Sequence, residues 1–186
     1  IRVASIGYAI PGTVIAVGVI IPFAWLDGRI DALMQSSFGI SSGLVFSGTI
    51  FSVMFAYVVR FLAISLQAVE SGLGKIKPSM DAAARSLGSR PVETLFKIHI
   101  PLMKSSTLTA LMIVFFDVLK ELPATLILRP FDFNTLAVRA FELASDERLA
   151  DSSIAALTIV LVGLAPVIYL SKIISQSRVE QVHIKI

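Results

Sequence analysis

The sequence predicts an all-α fold, a polytopic transmembrane helical bundle, and three observations predict it. Apolar residues make up 55% of the 186-residue chain, charged residues only 16%, and mean hydropathy is +0.84. A soluble domain carries about a quarter charged residues. Four stretches are long and apolar enough to cross a hydrocarbon core ~30 Å thick, which takes about 20 helical residues. Lys and Arg also concentrate in one of the connections between these stretches, as they do on the cytoplasmic side of membrane proteins. The apolar content excludes a disordered chain. The absence of cysteine excludes disulfide frameworks, thiolate zinc sites and cysteine nucleophiles. The net charge of +3 is a small excess over 16 basic residues and implies no nucleic-acid partner.

The first predicted span runs from Val3 to Leu26 and is interrupted by Pro11, Gly12 and Pro22. With no basic start and a proline at its middle, it is not a secretory signal peptide. The second covers Leu44 to Val69 and contains Arg60 and Gln67. The third, Leu108 to Leu128, contains Asp117, Lys120, Glu121 and Pro123. The fourth, Ile154 to Ile174, is free of charge until Lys172. Gly39, Gly43 and Gly48 near the second span read as close helix-packing points. The chain opens on Ile1 with a span almost at once, so residues 1–186 are expected to be a single transmembrane domain truncated at its N-terminus.

Orientation follows from the connections. Residues 70–107 hold six basic residues (Lys75, Lys77, Arg85, Arg90, Lys97, Lys104) against Glu70, Asp81 and Glu93. Residues 27–43 hold only Arg29, and residues 129–153 hold Arg129, Arg139 and Arg148 beside five acids. The segment 70–107 is therefore expected in the cytoplasm. With four spans, Arg2 and the tail carrying Lys172, Arg178 and Lys185 fall on the same side, so both ends are cytoplasmic.

A cytoplasmic connection of this length should carry structure of its own. From Pro78 an alanine-rich run (Asp81-Ala82-Ala83-Ala84-Arg85) leads to Gly88, a helix with a glycine stop. Ser89 can cap a second short helix over 90–97 with Pro91 in its first turn, and Pro101 should break the chain before the third span. The product is a rigid helical knob.

These residues resemble the EAA loop of ATP-binding-cassette importer permeases: an acid and two alanines, three residues, glycine, nine residues, isoleucine, one residue, Leu-Pro. Ala83, Ala84, Gly88, Ile98 and Pro101 stand at those intervals, Ile100 replaces the leucine, and Asp81 lies one residue before the acidic position, which Ala82 occupies. The runs Gly7-Tyr8-Ala9-Ile10-Pro11-Gly12-Thr13, Glu121-Leu122-Pro123-Ala124-Thr125 and Phe141-Glu142-Leu143-Ala144-Ser145-Asp146-Glu147 are similar to the ferric-iron branch of the family, in its C-terminal half. The resemblance implies the MetI-like importer-permease fold in a bacterial inner membrane. It also implies a loop that docks on a separate ATPase dimer, a periplasmic substrate-binding protein, and a second permease half in the same chain or a homologous subunit. ATP and Mg would then sit on the ATPase, with no cofactor bound by this chain. The plain alternative for the loop is a hairpin that only connects two spans.

Ionisable residues at membrane depth are costly and usually face a cavity or a partner. Asp117 and Glu121 are four apart, on one face of a helix, beside Lys120. They read either as carboxylates lining a path for a hard cation or as acids neutralised internally by Arg60 and Lys120. Glu121 is the stronger pathway candidate because Pro123 follows, and broken helices mark transport sites. Residues 129–153 are too polar to span and form an external cap segment. Asn134 is expected to cap a helix from Thr135 to about Ala144, with an Arg139–Glu142 pair. That segment reads as a gate or docking surface, or as a solvated amphipathic cap.

His99 and His183 are 84 residues apart, so no histidine-based metal site is expected. Gly72-Leu73-Gly74-Lys75 lacks the spacing of a phosphate-cradling loop, so the chain is expected to have no ATPase site of its own. The resemblance to the ferric-iron branch implies translocation of ferric iron. The alternatives are another solute of related permeases (thiamine, phosphonate, polyamine, sulfate), a secondary carrier using Asp117 or Glu121 as proton relay, or a membrane-embedded enzyme.

Overall fold

Pro11 and Gly12 decide where the first long helix begins. A computed structural model describes the backbone of residues 7–183 and the side chains as far as residue 169, with residue 171. Arg2, the opening residues of the predicted first span and the side chains of Lys172, Arg178, His183 and Lys185 lie outside the described residues. A helical turn over residues 7–9 stops before Pro11. The carbonyl of Pro11 then accepts from Val14 at 3.0 Å and Ile15 at 3.2 Å, opening α1 (Gly12–Phe38). Pro22 sits inside α1 without ending it. The predicted end at Leu26 was thus set too early. Asp27, Arg29 and Asp31, placed by the sequence in a connection, belong to the helix.

Two carboxylates explain the extension. Asp27 is 2% exposed and accepts from the amides of Val45 (3.1 Å), Phe46 (2.9 Å) and Ser47 (2.7 Å) and from the Ser47 hydroxyl. One turn on, Asp31 accepts from the Ser41 hydroxyl at 2.7 Å and the Ser42 amide at 2.8 Å. Both acids clamp the 39–49 connection onto α1. Gly39, Gly43 and Gly48 have φ of 68°, 63° and 69°, a region that residues with a Cβ avoid. A Cβ on Gly39 or Gly43 would meet nothing within 4 Å, so these glycines turn the chain and are not packing points.

α2 (Ile50–Leu73) returns antiparallel to α1 and leads to α3 (Pro78–Ser86). Gly88, at φ 77°, reverses the chain. α4 (Pro91–Thr94) opens with Arg90 as N-cap, its amide donating to Glu93 Oε2 at 3.2 Å, rather than with Ser89. α4 does not end where the sequence suggested. It runs through a π-turn (Leu95–His99) into α5 (Ile100–Leu119), giving one 29-residue helix. The expected break at Pro101 is absent because the wider turn, with Ile100 N–H bonded to the Leu95 carbonyl, accommodates the amide that proline lacks.

The third span likewise stops at Leu119 rather than Leu128. Residues 120–122 are non-helical, and Pro123 starts a separate short helix, α6 (Pro123–Leu128). α7 (Leu136–Ser145) is capped by the hydroxyl of Thr135, which accepts from Val138 N at 3.3 Å, so the cap falls one residue after Asn134. α8 (Leu149–His183) completes the described chain.

Four helices are long and apolar enough to cross a membrane: Gly12–Phe38, Ile50–Leu73, Pro91–Leu119 and Leu149–Tyr169. α2 packs mainly on α5, α6 on α1, and α7 on α8. Because lipid is as apolar as a core side chain, helices associate through small residues and close fit. Ala16, Ser52, Ala56, Ala124 and Thr125 are each no more than 1% exposed where α1, α2 and α6 meet. Phe23 anchors the part of that contact nearer the 39–49 connection, with ring centroids 5.1 Å from Phe55 and 5.5 Å from Phe46. α8 touches α5 at Gly163, where a Cβ would stand 2.7 Å from the Phe116 ring.

Candidate functional site

The break after α5 brings charge into the contact between α1, α2 and α6. Arg60 lies about 20 Å along α2 from Leu73, well inside the membrane thickness. Its Nη1 stands 3.4 Å from Glu121 Oε1, and the Glu121 side chain is only 5% exposed. The same carboxylate oxygen accepts the Ala124 amide at 3.1 Å, in the first turn of α6. Gly12, first residue of α1, faces this pair: a Cβ there would lie 2.2 Å from Arg60 Nη1 and 2.8 Å from Glu121 Oε1. The Thr125 hydroxyl donates to the Glu121 carbonyl at 3.0 Å and also bonds the Tyr57 hydroxyl. Glu121 is therefore held by a helix start, an arginine and a backbone bond. Arg60 Nε is buried without a hydrogen-bond partner.

Asp117 and Lys120 form a second pair, 3.0 Å apart, with the Tyr8 hydroxyl donating to Asp117 at 3.3 Å. The Lys120 side chain is 71% exposed, so this pair marks the edge of the buried region. Each of the two acids thus has a cation beside it, and they do not converge on a common point. Among the described residues no group of three or more His, Asp or Glu is placed to hold a metal ion. Glu142 pairs with Arg129 at 2.7 Å and with Arg139 at 3.7 Å, and accepts from Asn134 at 3.3 Å. It ties the start of segment 129–153 to α7.

At the other end of the bundle, α3 and the third span are joined directly. His99 Nε2 lies 2.7 Å from Asp81 Oδ1. Ala84 is buried, Ala83 and Pro101 are exposed, and Ile98 is half-buried. Past the end of α3 the Leu87 side chain is 88% exposed, and Val92 and Phe96 are also exposed. The sequence reading singled out Asp81 as a displaced acid but missed its partner, because nothing in a linear pattern connects positions 18 apart across a turn. It also missed Asp27, and it gave no partner for Tyr8 or Arg129. Asp27 stands at the end of an apolar run and is followed by Gly28, Arg29 and Asp31, which reads as a connection.

Comparison with known proteins bears on the whole arrangement. Residues 2–180 match the family model described as binding-protein-dependent transport system inner membrane component. The chain is 28% identical over 79% of its length to the Fe(3+)-transport system permease protein FbpB 2 of Haemophilus influenzae, covering 29% of that protein. It is 30% identical over 84% of its length to a Salmonella typhimurium protein named as a 2-aminoethylphosphonate transport system permease, PhnV, covering 52% of it. It is 25% identical over 92% of its length to the ferric transport system permease protein FbpB of Actinobacillus pleuropneumoniae, covering 23% of it. The chain spans about half or less of the length of these curated relatives. A multi-pass membrane helix bundle with this match over nearly all its residues belongs to the binding-protein-dependent transport system inner-membrane components, the permeases of ATP-binding-cassette importers.

Proposed function

We propose that the chain forms one permease half of an ATP-driven importer for ferric iron, delivered from outside by a binding protein. The observation that carries this reading is the Asp81–His99 bond, which fixes α3 to the base of the third span. A force on α3 then moves a membrane helix rather than a loose loop. Segment 70–107 lies in the cytoplasm and docks through α3 and the exposed Leu87 on an ATPase dimer, which binds the ATP and Mg. Both ends of this piece face the cytoplasm, and segment 129–153 faces outward to receive the binding protein. A second permease half completes the pore.

Arg60, Asp117, Lys120, Glu121 and Pro123 border the path as neutralised walls rather than as ligands. Their pairing supports this role, since a carboxylate already held by an arginine and an amide is a poor trap for a passing cation. Iron is favoured by the ferric relatives. A second reading, a phosphonate permease, is favoured by the Salmonella relative. Purifying the tagged full-length permease from its native membrane tests both. Co-purification of an ATPase and an iron-loaded binding protein is expected; a phosphonate-loaded binding protein shifts the substrate, and no ATPase overturns the coupling.

A further inference from the structure

The two helices that carry the cytoplasmic segment present a groove of mixed lining to the outside of the chain, with Ile64, Ala68, Ala110 and Ile113 among polar side chains. It opens between the inner halves of α2 and α5, with a volume of about 360 Å³. Gln67, Ser71 and Lys75 line one wall at one-turn spacing; Ser105, Ser106 and Thr109 line the other. Lys75 Nζ donates to Ser106 Oγ at 2.6 Å and the Thr109 hydroxyl to the Ser105 carbonyl at 2.9 Å. Gln67 lies about 9 Å along α2 from Leu73, so the groove reaches into the membrane. Amide and hydroxyl groups at that depth do not face hydrocarbon, where each unpaired group costs several kcal/mol. They face water or another protein surface.

The charge of the groove is one-sided. Among the described residues that line it, Lys75 is the one charged group and there is no carboxylate. Its remaining donors include the Gln67 amide and the hydroxyls of Ser71, Ser105 and Ser106, which can donate to an oxyanion. We propose that this groove is the inner mouth of the solute path and that it favours a solute crossing as an anion. For a ferric importer that means an iron(III) chelate of net negative charge, and for a phosphonate importer the phosphonate itself. The inference rests on the permease reading and adds the charge class of what leaves the pore.

These 186 residues contain no cysteine, so a single introduced thiol supplies the test once any cysteines elsewhere in the full transporter are replaced by serine. Thr109→Cys in the full transporter, in inside-out vesicles, is labelled with anionic and with cationic methanethiosulfonates, each rate normalised to that of a free thiol. The anionic reagent is expected to be favoured about fivefold, the effect of one nearby positive charge in a wet groove. Lys75→Gln should abolish the preference, Lys75→Arg should keep it, and lipid-facing Leu111→Cys should label slowly with both. Protection of Thr109→Cys during turnover by ferric citrate supports the chelate, and protection by 2-aminoethylphosphonate supports the phosphonate. No labelling at Thr109→Cys, or a preference unchanged by Lys75→Gln, overturns the proposal. ATP-driven uptake measured on the same vesicles keeps that failure separate from failure of the permease reading.

Discussion

Arg60 on α2 and Glu121 beyond the end of α5 form an ion pair, 3.4 Å apart, at the point where α1 and α6 both begin. The carboxylate also accepts the Ala124 amide, so one side chain joins four elements. Breaking a buried pair from one side costs about 3–5 kcal/mol, because the other charge stays behind without compensation. Glu121→Gln and Arg60→Gln should each lower the thermal midpoint of the detergent-solubilised transporter. The double variant should recover part of the loss, with a coupling of about 1 kcal/mol or more in the cycle. Additive losses would show that the two residues act independently.

Gly12 tests the same junction from the backbone side. Gly12→Ala pushes a methyl group into Arg60 and Glu121 and should cost about 1–3 kcal/mol. Gly18→Ala and Gly28→Ala, on the same helix, meet open space and should be neutral or slightly stabilising. Thermal melts of the three variants side by side decide this, and equal effects would contradict the packing account.

Asp27 holds the 39–49 connection onto α1 through three backbone amides. Asp27→Ala leaves three backbone amides without their acceptor and should cost about 2–4 kcal/mol, with Asp27→Asn intermediate. The 39–49 connection should become sensitive to protease in the alanine variant while ATP-driven uptake per folded molecule is retained. A normal melt would show that the clamp contributes little.

The joint between α3 and the third span should separate assembly from coupling. Asp81→Ala and His99→Ala remove the side-chain bond but leave the exposed surface of Leu87 untouched. The ATPase should still co-purify, and uptake per ATP hydrolysed should fall several-fold. Gly88→Val, which forces a β-branched residue into φ 77°, should instead reduce co-purification. If Asp81→Ala transports with full efficiency, the bond is not the lever.

Much of this was legible in the sequence because it depends on local composition. The four apolar runs and the glycine at 88 follow from hydropathy and backbone preference alone. Span limits were misplaced where a tertiary contact overrides the local signal. Asp27 reads as a helix end until its carboxylate is seen to be satisfied by the chain eighteen to twenty residues later. Pro101 reads as a break until a π-turn absorbs it. The charge balance of Arg60, Asp117, Lys120 and Glu121 could be counted in advance. Which acid meets which base is a matter of helix rotation and of the break at 120–122, neither of which a one-dimensional pattern fixes.

The central claim is that a separate ATPase drives ferric iron through a pore of which this chain is half. Uptake of radiolabelled ferric iron into proteoliposomes holding the full transporter and its binding protein tests it most directly. The account predicts uptake that requires ATP and the binding protein, persists without a proton gradient, and is lost when the ATPase is omitted. Uptake driven by a proton gradient without ATP, and abolished by Asp117→Asn, would contradict it.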